Sequence, residues 1–167
     1  ALHLAPARLP ATTVLTPHAG ELAAVLTARG VPRSRTEIEA HPARAVRETA
    51  DLTGATVLLK GAITRVGAPG IELYAVRAGI PWLASAGTGD VLAGVLGALL
   101  AGHTAGGALT ARRVAQIVAA GAAIHGWAGR RASAGGPLTA SGVATAVPRI
   151  IAQLIARHAT SVAPHPQ

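Results

Sequence analysis

The 167-residue sequence contains no cysteine, no methionine and no phenylalanine, and only 2% of it is aromatic. The missing cysteine excludes disulfides, a thiolate nucleophile and cysteine-based zinc sites, and is compatible with a cytoplasmic enzyme. Half of the chain is hydrophobic, so without Phe the core must be built from Ala, Val, Leu and Ile. Such side chains let backbones approach closely, which favours a layered α/β fold or tight helix packing over an aromatic-rich β-sandwich. No apolar run reaches the ~18 residues of a membrane span. The longest, Val91 to Ala101, is interrupted by glycines, so no membrane partner is expected. Methionine is missing even at position 1 and no signal peptide opens the chain, so the sequence reads as an excerpt of a longer protein.

Lysine is almost absent as well: Lys60 is the only one among 15 Lys and Arg residues. The formal charge of +8 raises the question of nucleic acid. Its distribution argues against that partner. The arginines are scattered or paired (Arg33/Arg35, Arg112/Arg113, Arg130/Arg131), with no basic run and no basic–aromatic interleaving. Arginine serves here as the default solubilising charge, which makes the single lysine informative.

The length fits one domain, expected over residues 1–160, with 161–167 as a frayed tail. Residues 1–11 read as a short helix or loop ending at Pro10. Thr12 to Thr16 is a short β-branched strand stopped by Pro17. Glu21 to Arg29 is a helix with Gly30 as its stop, and Thr36 to Leu52 a charged surface helix that Pro42 interrupts early. Thr56 to Leu59 is a continuous apolar run, as suits a strand buried on both faces of a parallel sheet. Ile63 to Val66 and Glu72 to Val76 flank the turn Gly67-Ala68-Pro69-Gly70 as a hairpin. A small-residue loop then opens a helix from about Asp90 to Ala101. Thr110 to Arg130 is a further helix, and another closes the fold from about Ser141 or Thr145. The order predicts an α/β fold with a mainly parallel sheet flanked by helices.

Three segments carry candidate chemistry. Gly87-Thr88-Gly89-Asp90 offers backbone N–H groups unobstructed by side chains, followed by the positive end of a helix, which together suit a phosphate. An aspartate there would repel that phosphate unless it takes a proton from a hydroxyl attacking phosphorus; alternatively Asp90 simply caps the helix. Lys60 stands at the carboxyl end of the buried strand, where open α/β sheets bind ligands. It either meets a phosphate as a point charge or snorkels to water. His18 and Glu21 lie three apart at a helix start after a strand. Both can face one cleft and Glu21 can hold Mg²⁺ through water, or Glu21 is an ordinary first-turn glutamate and His18 an idle loop residue. His125 reads as a packing or surface histidine, and Trp82 and Trp127 as base-stacking, core or interface residues.

Together and in this order, VLTPHAGELAAVL (14–26), VLLKGAITRV (57–66), PWLASAGTGDVLAGVLGALLA (81–101), AAIHGWAG (122–129) and PLTASGVATAVPRII (137–151) resemble the ADP/ATP-dependent NAD(P)H-hydrate dehydratases of the ribokinase-like superfamily. The resemblance implies a ribokinase-like, three-layer fold of which this chain is the C-terminal portion, Ala1-Leu2-His3-Leu4 following the family's Asp-Ala-Asp strand. It implies repair of NADH or NADPH hydrated at C6: ADP or ATP phosphorylates the hydroxyl, and the phosphate leaves as the ring double bond forms. Asp90 would be the acid/base. Lys60, Gly61, Ala62, Ile63, Thr64, Gly87, Thr88 and Gly89 would hold the adenine nucleotide, His18 and Asp90 the hydrated cofactor, and Glu21 the Mg²⁺. A homo-oligomer in the cytoplasm is expected. The alternatives are a ribokinase-like kinase of a small vitamin-precursor alcohol and a non-catalytic nucleotide-binding module. In one place the chain departs from the family: Gly79-Ile80-Pro81-Trp82 stands where the family often has Gly-Asn-Pro-Gly.

Overall fold

Thr56–Leu59 is the centre of the computed structural model, which describes residues 8–10, 12–104 and 107–162. All four residues of this strand are buried. Side chains alternate across a strand, and here both faces are covered. Val57 and Leu59 pack with Leu22, Leu26, Ile38 and Val46, whereas Leu58 packs with Val66, Leu92, Leu96, Val114 and Val118. The expected three-layer α/β arrangement follows. The first face carries α1 (Ala19–Ala28), α2 (Arg35–Ala40) and α3 (Pro42–Thr53). The second carries α4 (Thr88–Thr104) and α5 (Ala111–Ser133), and α6 (Ala140–Val162) packs against α5 and α4.

The sheet order is β1 (Val14–Leu15), β2 (Thr56–Leu59), β3 (Thr64–Gly67), β4 (Tyr74–Val76). β1 and β2 are parallel, with Leu15 beside Val57. β2–β3 and β3–β4 are antiparallel. The expectation of a mainly parallel sheet is therefore corrected among the described residues. The chain turns back immediately after Lys60, so β2, β3 and β4 form a meander joined by short turns, and only β1, separated from β2 by three helices, runs parallel to its neighbour.

Local chemistry accounts for the remaining differences. Pro42 does not interrupt one helix but starts a second, standing in the first turn of α3, where its missing N–H costs nothing. Ahead of it, Ser34 and Glu37 close a reciprocal capping box over α2: the Glu37 N–H donates to Ser34 Oγ at 3.2 Å and the Ser34 N–H to Glu37 Oε2 at 2.7 Å. α4 begins at Thr88, two residues before the expected Asp90. α6 starts at Ala140, with the Gly142 N–H donating to Thr139 Oγ1 at 3.1 Å, and continues through Pro148 to Val162. Ser161 and Val162 thus belong to a helix; the rest of the tail, most of residues 1–11 and the opening Ala1–Leu4 lie outside the described residues.

α5 fits tightly against the segment leading to α4. A Cβ on Gly126 would lie 2.6 Å from the Ala78 carbonyl carbon, and one on Gly129 would lie 2.7 Å from Leu83 Cδ2. Arg130 Nε donates to the Ala78 carbonyl at 2.8 Å. In an open helix Gly→Ala gains up to ~1 kcal/mol. At position 126 the added methyl meets backbone that cannot yield, so Gly126→Ala is expected to destabilise by about 1–3 kcal/mol. The check is a lowered urea midpoint at unchanged slope.

Candidate active site

The parallel pairing of β1 and β2 carries two chain segments to one end of the sheet. Beyond the strands the pairing continues: the Lys60 N–H donates to the Pro17 carbonyl at 2.8 Å, and His18 and Lys60 form a bridge. His18 is the N-cap of α1. Its Nδ1 accepts from the Glu21 N–H at 3.1 Å, while its own N–H donates to Glu21 Oε2 at 2.7 Å. An accepting Nδ1 leaves the ring proton on Nε2, which lies 3.6 Å from Glu21 Oε1. Lys60 Nζ reaches the same carboxylate, 3.4 Å from Oε2. Burial opposes ionisation of Glu21, but the His18 N–H and the Lys60 ammonium outweigh it and hold the carboxyl below its ordinary 4.5.

The start of α4 arrives from the other direction. Gly87 has φ +82°, a left-handed conformation that favours glycine, and a Cβ there would also press on Ala140 Cβ at 3.1 Å. Its carbonyl accepts from the N–H groups of Asp90 and Val91, so Gly87 caps the helix. The next glycine is where the two segments meet: Lys60 Nζ lies 3.7 Å from the position a Gly89 Cβ would take. A lysine ammonium and the positive end of a 17-residue helix thus converge on one spot.

Asp90 is the third residue of α4 and is exposed. Among the described residues its carboxylate makes no hydrogen bond or ion pair, so it is not the helix cap. Its side chain faces outward. Thr88 differs from the expectation. It is 3% exposed and its hydroxyl lies 2.7 Å from the Leu83 carbonyl and 2.8 Å from that of Ser85. That hydroxyl is turned inward, away from a ligand at the helix start. Gly61 and Ala62 are exposed and Ile63 and Thr64 half-buried, together forming the turn from β2 into β3 beside Lys60. No group of three metal-ligating residues occurs among the described residues. Glu21, committed to His18 and Lys60, does not fit as the anchor of a directly bound Mg²⁺, which requires a near-ideal octahedron of oxygens. Trp82 and Trp127 are both partly exposed, and neither fills the core.

One residue gained a task that its sequence position did not show. His125 is 7% exposed, and its Nε2 donates to the Thr88 carbonyl, 2.9 Å away. Burial lowers its pKa from 6.5, against the opposing effect of the Thr88 contact. The histidine therefore takes up a proton more readily in the unfolded chain than in the folded one. The stability it contributes is complete above 6.5 and is lost as pH falls below that value toward the folded pKa. Unfolding midpoints should fall from pH 7 to pH 5, and His125→Gln should flatten that slope; equal slopes would remove His125 as their source.

A family model described as NAD(P)H-hydrate dehydratase matches residues 3–151. The bifunctional NAD(P)H-hydrate repair enzyme Nnr of Mycobacterium tuberculosis is 50% identical over 91 residues, 54% of this chain and 18% of that protein. The ADP-dependent (S)-NAD(P)H-hydrate dehydratase of Neisseria meningitidis is 42% identical over 88 residues, 53% of this chain and 28% of that protein. The crystal structure of the ADP/ATP-dependent NAD(P)H-hydrate dehydratase of Bacillus subtilis, co-crystallised with ATP/Mg²⁺, superposes with a TM-score of 0.68 at 24% identity, over 84% of this chain and 47% of that one. The chain thus spans less than a third of these curated relatives and about half of the solved structure. With a match running almost end to end, this chain belongs to the NAD(P)H-hydrate dehydratase family.

Proposed function

We propose that this chain forms the nucleotide-handling part of an enzyme that returns C6-hydrated NADH or NADPH to NAD(P)H at the expense of ADP or ATP. The observation that carries this reading is the convergence of Lys60 Nζ and the α4 N-terminus at Gly89, with the unpaired Asp90 one residue on. A lysine ammonium, shared with Glu21, and the unbonded N–H groups of a helix start offer one spot a point charge and aligned donors, and a phosphoryl group is an anion that takes both. An exposed carboxylate without a partner, beside that anion, suits proton abstraction rather than structure.

Water is a poor leaving group and phosphate a good one. Asp90 takes the proton of the C6 hydroxyl as its oxygen attacks phosphorus, and the nucleotide departs with one phosphate fewer. The phosphate ester then breaks at its C–O bond while C5 loses a proton to water or to the departing phosphate, and the C–H electron pair becomes the ring double bond. Lys60 to Thr64 and the backbone of Gly87 to Gly89 hold the nucleotide, and His18, through its Nε2–H edge, holds the hydrated cofactor with Asp90. Mg²⁺ would enter on the nucleotide phosphates, with Glu21 reaching it through water. On this reading the enzyme works on the NADH and NADPH of the cytoplasm.

The direct test supplies full-length protein with hydrated NADH and ADP or ATP and follows NADH absorbance. Recovery is expected; no recovery, but phosphorylation of a vitamin-precursor alcohol, would make it a different ribokinase-like kinase. Asp90→Asn should lower turnover at least ~100-fold while nucleotide still binds. Unchanged turnover would take Asp90 out of the mechanism. Lys60→Met should weaken nucleotide binding about ten-fold or more, the effect of losing a charged hydrogen bond; titration of the nucleotide checks it.

A further inference from the structure

His125 is the one buried histidine among the described residues, and the proposed chemistry does not use it. It sits in the middle of α5, 37 residues from its partner in sequence. That partner, the Thr88 carbonyl, belongs to the first turn of α4, between Gly87 and Gly89. Thr88 is itself a junction. Its hydroxyl bonds the Leu83 and Ser85 carbonyls, and its N–H lies 3.4 Å from the Ser85 carbonyl. The same face of α5 holds the preceding segment at three further points: Gly126 against Ala78, Gly129 against Leu83, and Arg130 Nε on the Ala78 carbonyl. Residues 78–88 are thus clasped along their length, with His125 at the end next to the helix start.

A loop of Gly-Thr-Gly has little rigidity of its own. Its N–H groups stabilise a transferring phosphoryl group only if they are already aimed at it, and a displacement of about 1 Å costs heavily in rate. A bond to the Thr88 carbonyl is well placed to set that aim. It acts on the peptide unit whose other end is the Gly89 N–H, so it fixes the plane in which that N–H points.

We infer that His125 is a positioning residue: through the Thr88 carbonyl it fixes the peptide that presents the Gly89 N–H to the transferring phosphoryl group, and so affects kcat rather than nucleotide affinity. The catalytic part of this inference rests on the function proposed above; the structural part does not.

The experiment compares wild type, His125→Ala and His125→Gln in the full-length protein, since the Gln amide can place an N–H near the histidine Nε2 position. Hydrogen exchange of the amides of residues 85–91 is read without substrate, and kcat and nucleotide affinity are read with it. In His125→Ala, exchange of these amides is expected to quicken about ten-fold, the size of one lost buried hydrogen bond, and kcat to fall about ten-fold or more with nucleotide affinity within about three-fold. His125→Gln is expected to restore most of both. Unaltered exchange in a folded His125→Ala overturns the inference, whatever the enzyme's substrate. So does quickened exchange with unchanged kcat, or a Gln variant that regains thermal stability without regaining kcat. If His125→Ala does not fold, the Gln variant alone decides, near-native exchange and kcat supporting the inference and native stability with lost kcat refuting it. A protein that turns over no hydrated dinucleotide fails the proposed function at the assay, while the exchange measurement still decides whether His125 holds the loop.

Discussion

The parallel pairing of two short strands is the constraint on which the site depends. β1 contributes only two residues to the sheet, yet its register against β2 extends past Pro17 to the His18–Lys60 bridge. This extension sets the start of α1 beside the end of β2. Were β1 shifted by one residue, Leu15 would leave the face it shares with Val57, and the His18 cap would move away from Lys60. The chemistry at this end of the sheet is thus locked to the burial of a few aliphatic side chains below it.

Packing against the second face depends on the scarcity of bulk. A chain without Phe and with 20 glycines brings α5 close enough for its backbone to touch Ala78. Close approach has an energetic advantage beyond dispersion, because it lets short polar reaches suffice. Arg130 and His125 both bond backbone carbonyls of the opposing segment, which a bulkier interface would hold out of range.

The sequence made some features legible and others not, for physical reasons. The four buried residues of β2 were readable because an uninterrupted apolar run has few other uses in a chain this size. The grouping of Lys60, His18, Glu21 and Gly89 was readable in outline, because each lies beside a strand end or helix start. The early start of α4 was not, since Gly87-Thr88-Gly89 lacks helix propensity and is held in place by the bonds of the Thr88 hydroxyl to the preceding turn and by the His125 bond to the Thr88 carbonyl. The inward turn of that threonine, and so its loss as a side-chain ligand, depends on carbonyls positioned by the Pro81–Ala84 turn. His125 could be read only as a packing or surface histidine because a lone histidine in an alanine-rich helix has no local pattern; its partner comes from a different helix. Antiparallel pairing of β2 with β3 was masked because Lys60-Gly61-Ala62-Ile63 does not look like a tight turn.

Glu21 has a consequence for how a ligand finds this site. The chain carries a net charge of +8, but the one lysine at the site is already met by a carboxylate 3.4 Å away. Seen from beyond a Debye length, about 8 Å at physiological salt, that pair nearly cancels. What remains is the unpaired Asp90 carboxylate, which repels an anion, and the field of aligned peptide dipoles at the α4 N-terminus, which fades within about a turn of the helix. An approaching anion is therefore captured at contact rather than steered from afar, and its rate of arrival at this spot depends little on ionic strength, in a protein whose overall charge suggests the opposite.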